Sequence, residues 1–439
     1  MKPIHTYHAK PKRPETVIQF GEGGFLRGFA DWMLQSLNDS GQYQGSAVVV
    51  QPIETGLCEK LAAQNCLYTH VIRGLENGQP VVKKQLIDSI SRCINPYTQF
   101  QEYLALARQP GLSVIISNTT EAGIRYVPAD RPDMTPPAAF PAKLTILLYE
   151  RFKAGLDGFL LLPCELIDKN GTTLKEIVLR YAADWALGAD FEAWIHEKNE
   201  FCNTLVDRIV TGHPKDEDME LPYTDDMVNT SELFHLWVIE GNKAWSDRFP
   251  ADKLGLNVIW TDNLERYRTR KVRILNGAHT SLVPYAMLRG FTTVKECVDN
   301  PDLHAYLKRC IFDEIIPTLD LPEAELTAYA NDVLERFSNP FIKHYLSSIA
   351  LNSISKFRVR VLPSILEYQK RFGKLPQTLT EAFANLIAFY RTDMANDDAD
   401  VMAFMKTAST ADILANTGLW GEDLSFLYDE VKKYETPSV

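Results

Sequence analysis

The chain has 439 residues, 45% hydrophobic and 23% charged, with 46 basic against 57 acidic side chains and a net charge of −11. That balance disfavours a general nucleic-acid or anionic-membrane surface, yet leaves room for a local basic pocket that takes a small anion. No run approaches the roughly 18 apolar residues of a membrane helix, and a chain of this length favours two domains over one core.

The opening stretch, MKPIHTYHAKPKRPETV, lacks the apolar segment of a signal peptide. Seven cysteines (58, 66, 93, 164, 202, 297 and 310) form no CxxC pair and no zinc-like cluster with histidine. Reduced thiols in a cytoplasmic protein are expected, with neither nucleic acid nor membrane as partner.

In chain order, short Val/Ile/Leu-rich runs at 17–20, 47–50, 113–117 and 158–164 have the length and flanking turn residues of buried strands. Helical patterns at 29–38 and 98–109 lie between them. Strands alternating with helices predict βαβ units, a parallel sheet and an α/β fold. Residues 211–222 are expected to be a polar loop. Beyond about residue 265 helical periodicity dominates, at 300–316, 323–337, 341–357 and 379–392. The expected organisation is a dinucleotide-binding domain over 1–255 and a helical domain over 256–439.

The first run ends in GEGGFLRG, with Gly21, Gly23 and Gly24 followed by Phe25 and Arg27. Glycines at a strand–helix turn let the backbone approach a pyrophosphate, and the helix start offers unpaired N–H groups. The third glycine of the usual GxGxxG is replaced by Leu26, so a nucleotide turn and an ordinary strand–helix turn both remain open. Glu54 follows the second run, where an acid can accept from a ribose 2′-hydroxyl. A carboxylate there favours NAD over NADP; the other reading is a solvated loop acid. Asn118, Thr119, Thr120 and Glu121 follow the third run, at the strand edge where open α/β sheets bind ligands, or where such residues merely cap a loop.

The segment 268–288 carries Lys271, Asn276 and His279. It reads as one helix, kinked or ended at Pro284. On an α-helix Lys271 and His279 fall roughly 80° apart and Asn276 and His279 roughly 60°, within one sector of about 140°. A buried lysine can exchange a proton with an alcohol, while amide and imidazole hold the developing alkoxide. A surface lysine beside two helix-bridging polar residues is the alternative. The nine histidines are scattered, without HxxxH or HExxH, so no metal is expected; His196 and His235 are expected to be structural.

The stretches QFGEGGFLRGF, SNTTEAG, LPCELIDKNG, FCNTLVDRIVTG and RKVRILNGAHT occur in this order over nearly the whole chain. Together they resemble the mannitol dehydrogenase, or polyol-specific long-chain dehydrogenase, family. The resemblance implies a Rossmann-type N-terminal domain, a mostly α-helical C-terminal domain, NAD(P) dependence and no zinc. It assigns Lys271 as general acid/base, with Asn276 and His279 holding the carbonyl, and it matches Gly21, Gly23, Phe25 and Arg27 to the family's GxGxFxR turn.

Within the family, VVVQPIET, PCELIDKNG and NPFIKHYLSSIALNSISKFRVRVLP look most like the branch that interconverts D-altronate and D-tagaturonate in hexuronate catabolism. Two departures from the polyol pattern bear on this. Glu165 and Leu166 replace an Asp-Asn pair, which leaves Glu165 as a proton relay, a partner of a substrate hydroxyl or a buried hydrogen-bonded acid. Lys343, His344 and Ser348 replace an acid and an arginine. A hexonate carries its carboxylate at the end remote from the ketone, and Lys343, His344, Lys356 and Arg358 are candidates to hold it. Arg208 is a further candidate, or else part of an inter-domain salt bridge. The rival expectations are a fructuronate/mannonate or mannitol-type dehydrogenase, a catalytically inactive NAD-binding sensor, and an epimerase that uses NAD transiently.

Overall fold

The computed structural model describes residues 1–120, 122–214 and 217–435. The chain divides into two compact units, residues 1–73 with 81–264 and residues 74–80 with 265–439. Among the described residues no helix is long and apolar enough to cross a membrane.

The first unit is built on eight strands and five accessory ones. The eight are β1 (Glu15–Phe20), β2 (Ser46–Val50), β3 (Tyr68–Glu76), β4 (Gln79–Ile87), β5 (Ile90–Ile94), β6 (Val114–Ser117), β7 (Leu160–Pro163) and β8 (Glu200–Phe201). Six of them form a sheet in the order β5-β2-β1-β6-β7-β8, parallel throughout. The four runs expected as strands are β1, β2, β6 and β7. Their continuous apolar character follows from burial on both faces. Val17, Val49, Val114, Ile116 and Leu162 enter one core with helix Ala30–Asp39. Ile18, Phe20, Val48, Val50, Ile115 and Leu161 enter another with helices Phe140–Lys153 and Asn170–Asp184. The order reverses between β1 and β6, and such a switch point opens a crevice at the carboxyl ends of the strands.

The remaining strands are β9 (Asn203–Asp207), β10 (Val210–Gly212), β11 (Asn229–Ser231), β12 (Leu236–Glu240) and β13 (Val258–Thr261). They make two small sheets, β10-β11-β3-β4 and β13-β12-β9, which the strand–helix alternation did not lead us to expect. The loop expected over 211–222 therefore begins inside β10. β3 and β4 are joined by Asn77 and Gly78, at φ 54° and 74°. Both are left-handed, as a two-residue type I′ hairpin requires.

In the second unit, helix Leu264–Arg270 runs on through a π-helical segment, Lys271–Asn276, into helix Gly277–Met287. Pro284 neither ends nor breaks it; the Leu288 amide closes the last turn on the Pro284 carbonyl. Gly277 faces the Arg360 carbonyl, which lies 3.1 Å from where a Cβ would stand, so the two backbones come close only because the residue is glycine. Helix Glu323–Phe337 forms as expected. The span 300–316 splits into helix Pro301–Lys308, a π segment Arg309–Ile315 and a 3-10 turn from Ile316. The span 341–357 is not one helix either. Tyr345 bridges Thr293, the His344 carbonyl accepts from Val294 and Asn352 takes φ 52°, leaving two helices, Leu346–Ile349 and Ser353–Arg360. The extended pairing satisfies backbone groups that a helix over 341–345 would have used internally.

A buried polar group supports the start of the first unit. Gln19 donates through Nε2 to both the Gly21 carbonyl (3.0 Å) and Asp31 Oδ2 (3.2 Å). Asp31 is wholly buried, and desolvation pushes its carboxyl up to about 7. The folded state therefore keeps a proton that the unfolded chain loses near the ordinary value of 3.8, and stability falls as pH rises from about 4 to about 7. Asp31→Asn keeps the shape and removes the titration. Its stability relative to wild type is expected to rise across that window, by up to about 1.4 kcal/mol per pH unit. Urea midpoints of both proteins at several pH values check this, and parallel curves would refute it.

Candidate functional site

At the switch point, Gly21 takes φ 120°, and a Cβ on it would stand 2.7 Å from the Asn118 carbonyl oxygen. Its amide donates to Val50, while Asn118 donates to Phe20, so the ends of β2, β1 and β6 are locked together. Gly23 differs. A Cβ added there meets nothing within 4 Å and projects into open space at the start of the short helix Gly24–Arg27. Gly24 and Gly28 are packing glycines against Asn229 of β11. Phe25 stacks on Phe29 at 5.0 Å.

The other crevice residues divide into support and edge. Arg27 is buried, and burial lowers its pKa; its guanidinium donates to the Glu22 and Met227 carbonyls and lies over the Tyr68 ring. It therefore shapes the turn from beneath. Glu22 Oε1 accepts from the Leu57 amide, and Gln51 Nε2 donates to the Ile53 and Glu54 carbonyls, which fixes the loop after β2. Glu54 itself is exposed at that edge. Asn118 and Thr119 are half-buried, and Thr120 is exposed with φ 68°. Glu121 lies outside the described residues.

Of the three readings of Glu165, the structure carries the buried acid. Its Oε2 accepts from Ser117 Oγ (3.0 Å), and its Oε1 accepts from the Thr119 amide (2.9 Å) and hydroxyl (3.0 Å). Desolvation raises its pKa. The neighbouring Leu166 is 62% exposed. Arg208 is neither an open anion site nor half of a salt bridge between domains. It is buried over Trp32, with donors on the Glu232 and Gly28 carbonyls, all within the first unit. Burial lowers its pKa to about 9.

The second unit carries Lys271, Asn276 and His279 on one continuous helical rod. Lys271 opens the π segment and Asn276 closes it; both are half-buried, so the lysine is less enclosed than expected. An α-helix would place residues five apart about 140° from each other. The i→i+5 bonding of a π turn makes them neighbours along the axis instead, so the sector estimated with α-helical geometry is narrowed. His279 is 8% exposed and its Nε2 has no hydrogen-bond partner. Its ring stacks on Phe337 at 4.1 Å and meets the His344 ring edge-on at 4.9 Å. Burial holds its pKa well below 6.5, helped by His344, Arg336 and Arg360, so it is neutral near pH 7. Neutral Nε2 can donate to, or accept from, one oxygen.

Among the basic residues expected to hold a carboxylate, only His344 joins this cluster. Lys343 is exposed, Lys356 donates to the Ile349 carbonyl, and the exposed Arg358 lies against Gly421. Thr280, Arg336, Phe337 and Arg360 belong to the cluster and were missed. A signal for Arg360 exists: Ile354, Phe357 and Val361 are buried, and Arg360 follows Phe357 by three on that face.

Comparison with known proteins agrees with this architecture. Residues 15–253 match the mannitol dehydrogenase Rossmann domain and residues 263–426 the mannitol dehydrogenase C-terminal domain. The chain belongs to the mannitol dehydrogenase family. It is 48% identical to an altronate oxidoreductase of Yersinia enterocolitica over 440 residues, covering 94% of this chain and 91% of that protein. It is 48% identical to one of Pectobacterium atrosepticum over 431 residues, covering 96% and 87%. Among solved structures, D-sorbitol dehydrogenase in substrate-free form shares the fold at a TM-score of 0.82 and 21% identity, covering 99% of this chain and 97% of that one. The ternary complex of Pseudomonas fluorescens mannitol 2-dehydrogenase with NAD and D-mannitol does so at 0.69 and 22%, covering 98% and 92%.

The left-handed φ of Gly21 and its contact with the Asn118 carbonyl predict that Gly21→Ala destabilises the protein by on the order of 2 kcal/mol. A lowered denaturant midpoint checks this; an unchanged one would show that the strand ends part freely.

Proposed function

We propose that this chain is an NAD-dependent, metal-independent oxidoreductase that interconverts D-altronate and D-tagaturonate, a cytoplasmic step of hexuronate catabolism. The observation that carries the chemistry is the π turn that aligns Lys271 with Asn276 one helical turn before the orphan Nε2 of His279. The relatives named altronate oxidoreductase, alike over almost the whole length, support the substrate.

The crevice of the first unit fits a dinucleotide. Gly23 leaves open the space that a side chain would fill, and Gly21 brings backbone to that edge. Glu54 would accept from the ribose hydroxyl, and its carboxylate disfavours a 2′-phosphate. Asn118, Thr119 and Thr120 line the neighbouring strand end. When bound, the nicotinamide accepts or supplies hydride at the reacting carbon.

The chain's own residues manage the oxygen. In oxidation, Lys271 takes the proton of the hydroxyl as the C–H bond breaks; in reduction it returns a proton to the alkoxide oxygen. Asn276 donates to that oxygen from its amide. His279, neutral because it is buried, offers Nε2 to the same atom, stabilising developing negative charge without placing a second cation beside Lys271.

Two outcomes are expected. Lys271→Ala lowers kcat for D-tagaturonate reduction by roughly 10²–10⁴-fold, with NADH binding retained in fluorescence titration. Gly23→Val leaves thermal stability near wild type and weakens NADH by about tenfold or more through loss of the phosphate approach. Oxidation of NADH by D-tagaturonate, compared with D-fructuronate and D-fructose and with NADPH as cofactor, tests the whole reading. Preference for fructuronate or fructose would overturn the substrate, and an undiminished Lys271→Ala would overturn the mechanism.

A further inference from the structure

Arg360 is a cation placed against the reactive helix with no acid to balance it. Its carbonyl packs on Gly277, the residue after Asn276. Its Nη1 lies 3.5 Å from Thr280 Oγ1, the residue after His279, at the outer limit of a hydrogen bond. It is half-buried, and no carboxylate among the described residues pairs with it. By contrast, two other enclosed arginines of the second unit have close partners: Arg270 pairs with Glu325 and Arg273 donates to Ser364 at 2.9 Å.

Burial lowers the pKa of His279 first, and the nearby guanidinium groups of Arg336 and Arg360 lower it further. A partly desolvated guanidinium that meets only a hydroxyl at long range is an incomplete arrangement. An oxyanion completes it: a carboxylate accepts two parallel N–H bonds from a guanidinium, a geometry that a lone ammonium does not offer. In a five-keto hexonate the carboxylate carbon lies four bonds from the ketone carbon. A group packed against the helix that carries Asn276 and His279, as Arg360 is, is thus within the reach of one substrate molecule.

We propose that Arg360 holds the substrate carboxylate and thereby selects a sugar acid over a neutral polyol. This rests on the functional reading above, and it displaces Lys343, Lys356 and Arg358 as the anion anchor. Thr280 is the positioning residue that orients the guanidinium when no substrate is bound.

The test compares steady-state kinetics of wild type, Arg360→Gln and Arg360→Lys with D-tagaturonate and with D-tagatose, its counterpart without the carboxylate. Loss of a charge-assisted hydrogen bond predicts that Arg360→Gln raises KM for D-tagaturonate by about ten- to a hundredfold, with kcat changed by less than about threefold. The selectivity ratio of kcat/KM for D-tagaturonate over D-tagatose falls by about tenfold or more. Arg360→Lys, which keeps the charge and loses the fork, recovers part of both. An unchanged KM, a loss confined to kcat, or a parallel loss on both sugars would overturn the proposal. If Arg360→Gln does not fold, the lysine variant decides: an unchanged KM and ratio refute the role. Wild type that fails to reduce D-tagaturonate overturns the functional reading and this inference together, whereas wild-type activity with an indifferent Arg360→Gln overturns this inference alone.

Discussion

Gly21 and the carbonyl oxygen of Asn118 share a space too small for one more carbon. The 2.7 Å that would separate that oxygen from a Cβ is set by how β1 and β6 end side by side, at the place where the strand order reverses. The consequences spread along the carboxyl edge. The turns after β1, β2 and β6 are fastened to buried polar side chains: Gln19 on the Gly21 carbonyl, Arg27 on Glu22, Glu22 on the Leu57 amide, and Glu165 on Thr119. Each of these groups costs free energy to desolvate, and each offsets that cost by satisfying a backbone group that the open turn leaves without a ladder partner. Loops held in place at an open edge are the result.

The same bargain explains the disposition of charge. In the first unit, carboxyls without a strong cationic partner are pushed toward the neutral form by burial, as with Asp31 and Glu165. In the second, burial neutralises His279 while Arg336 and Arg360 stay charged. A protein with a net charge of −11 thus places the guanidinium of Arg360, which no described carboxylate pairs with, beside a neutral imidazole. Net charge sets what the surface repels; the interior decides what a pocket accepts.

Much of this was legible beforehand, because it rests on period and run length. Four central strands and the helix Glu323–Phe337 follow from apolar runs and period, whereas spacing alone leaves Lys271, Asn276 and His279 open and only the motif's resemblance singles them out. The Asn-Gly pair at 77–78 is an equally plain hairpin signal, although strand–helix alternation alone predicts no antiparallel pair there. The break at 341–345 was not legible. It depends on Val294 and Thr293, some fifty residues away, offering backbone partners that compete with the helix. Arg27 and Arg208 show the limit of reading charge as function. A basic residue near a glycine turn looks the same in sequence whether its guanidinium faces a ligand or caps main-chain carbonyls, and only burial separates the two cases.

The π turn was beyond sequence for a related reason. Lys271 and Asn276 are five residues apart, a spacing that α-helical geometry treats as a mismatch of about 140°. Read so, the trio spreads over a sector of about 140°, with Lys271 and Asn276 at its two edges. One inserted i→i+5 turn removes the mismatch, at the expense of an uncommon backbone that flanking α-helix and packed neighbours must hold in place. Gly277 is where that support enters: its missing side chain admits the Arg360 carbonyl directly against the rod just past the turn. The contact that braces the turn thereby delivers the Arg360 side chain to Thr280, beside His279. The register of Lys271 with Asn276 and the placement of the Arg360 guanidinium are two results of one close approach of backbone to backbone.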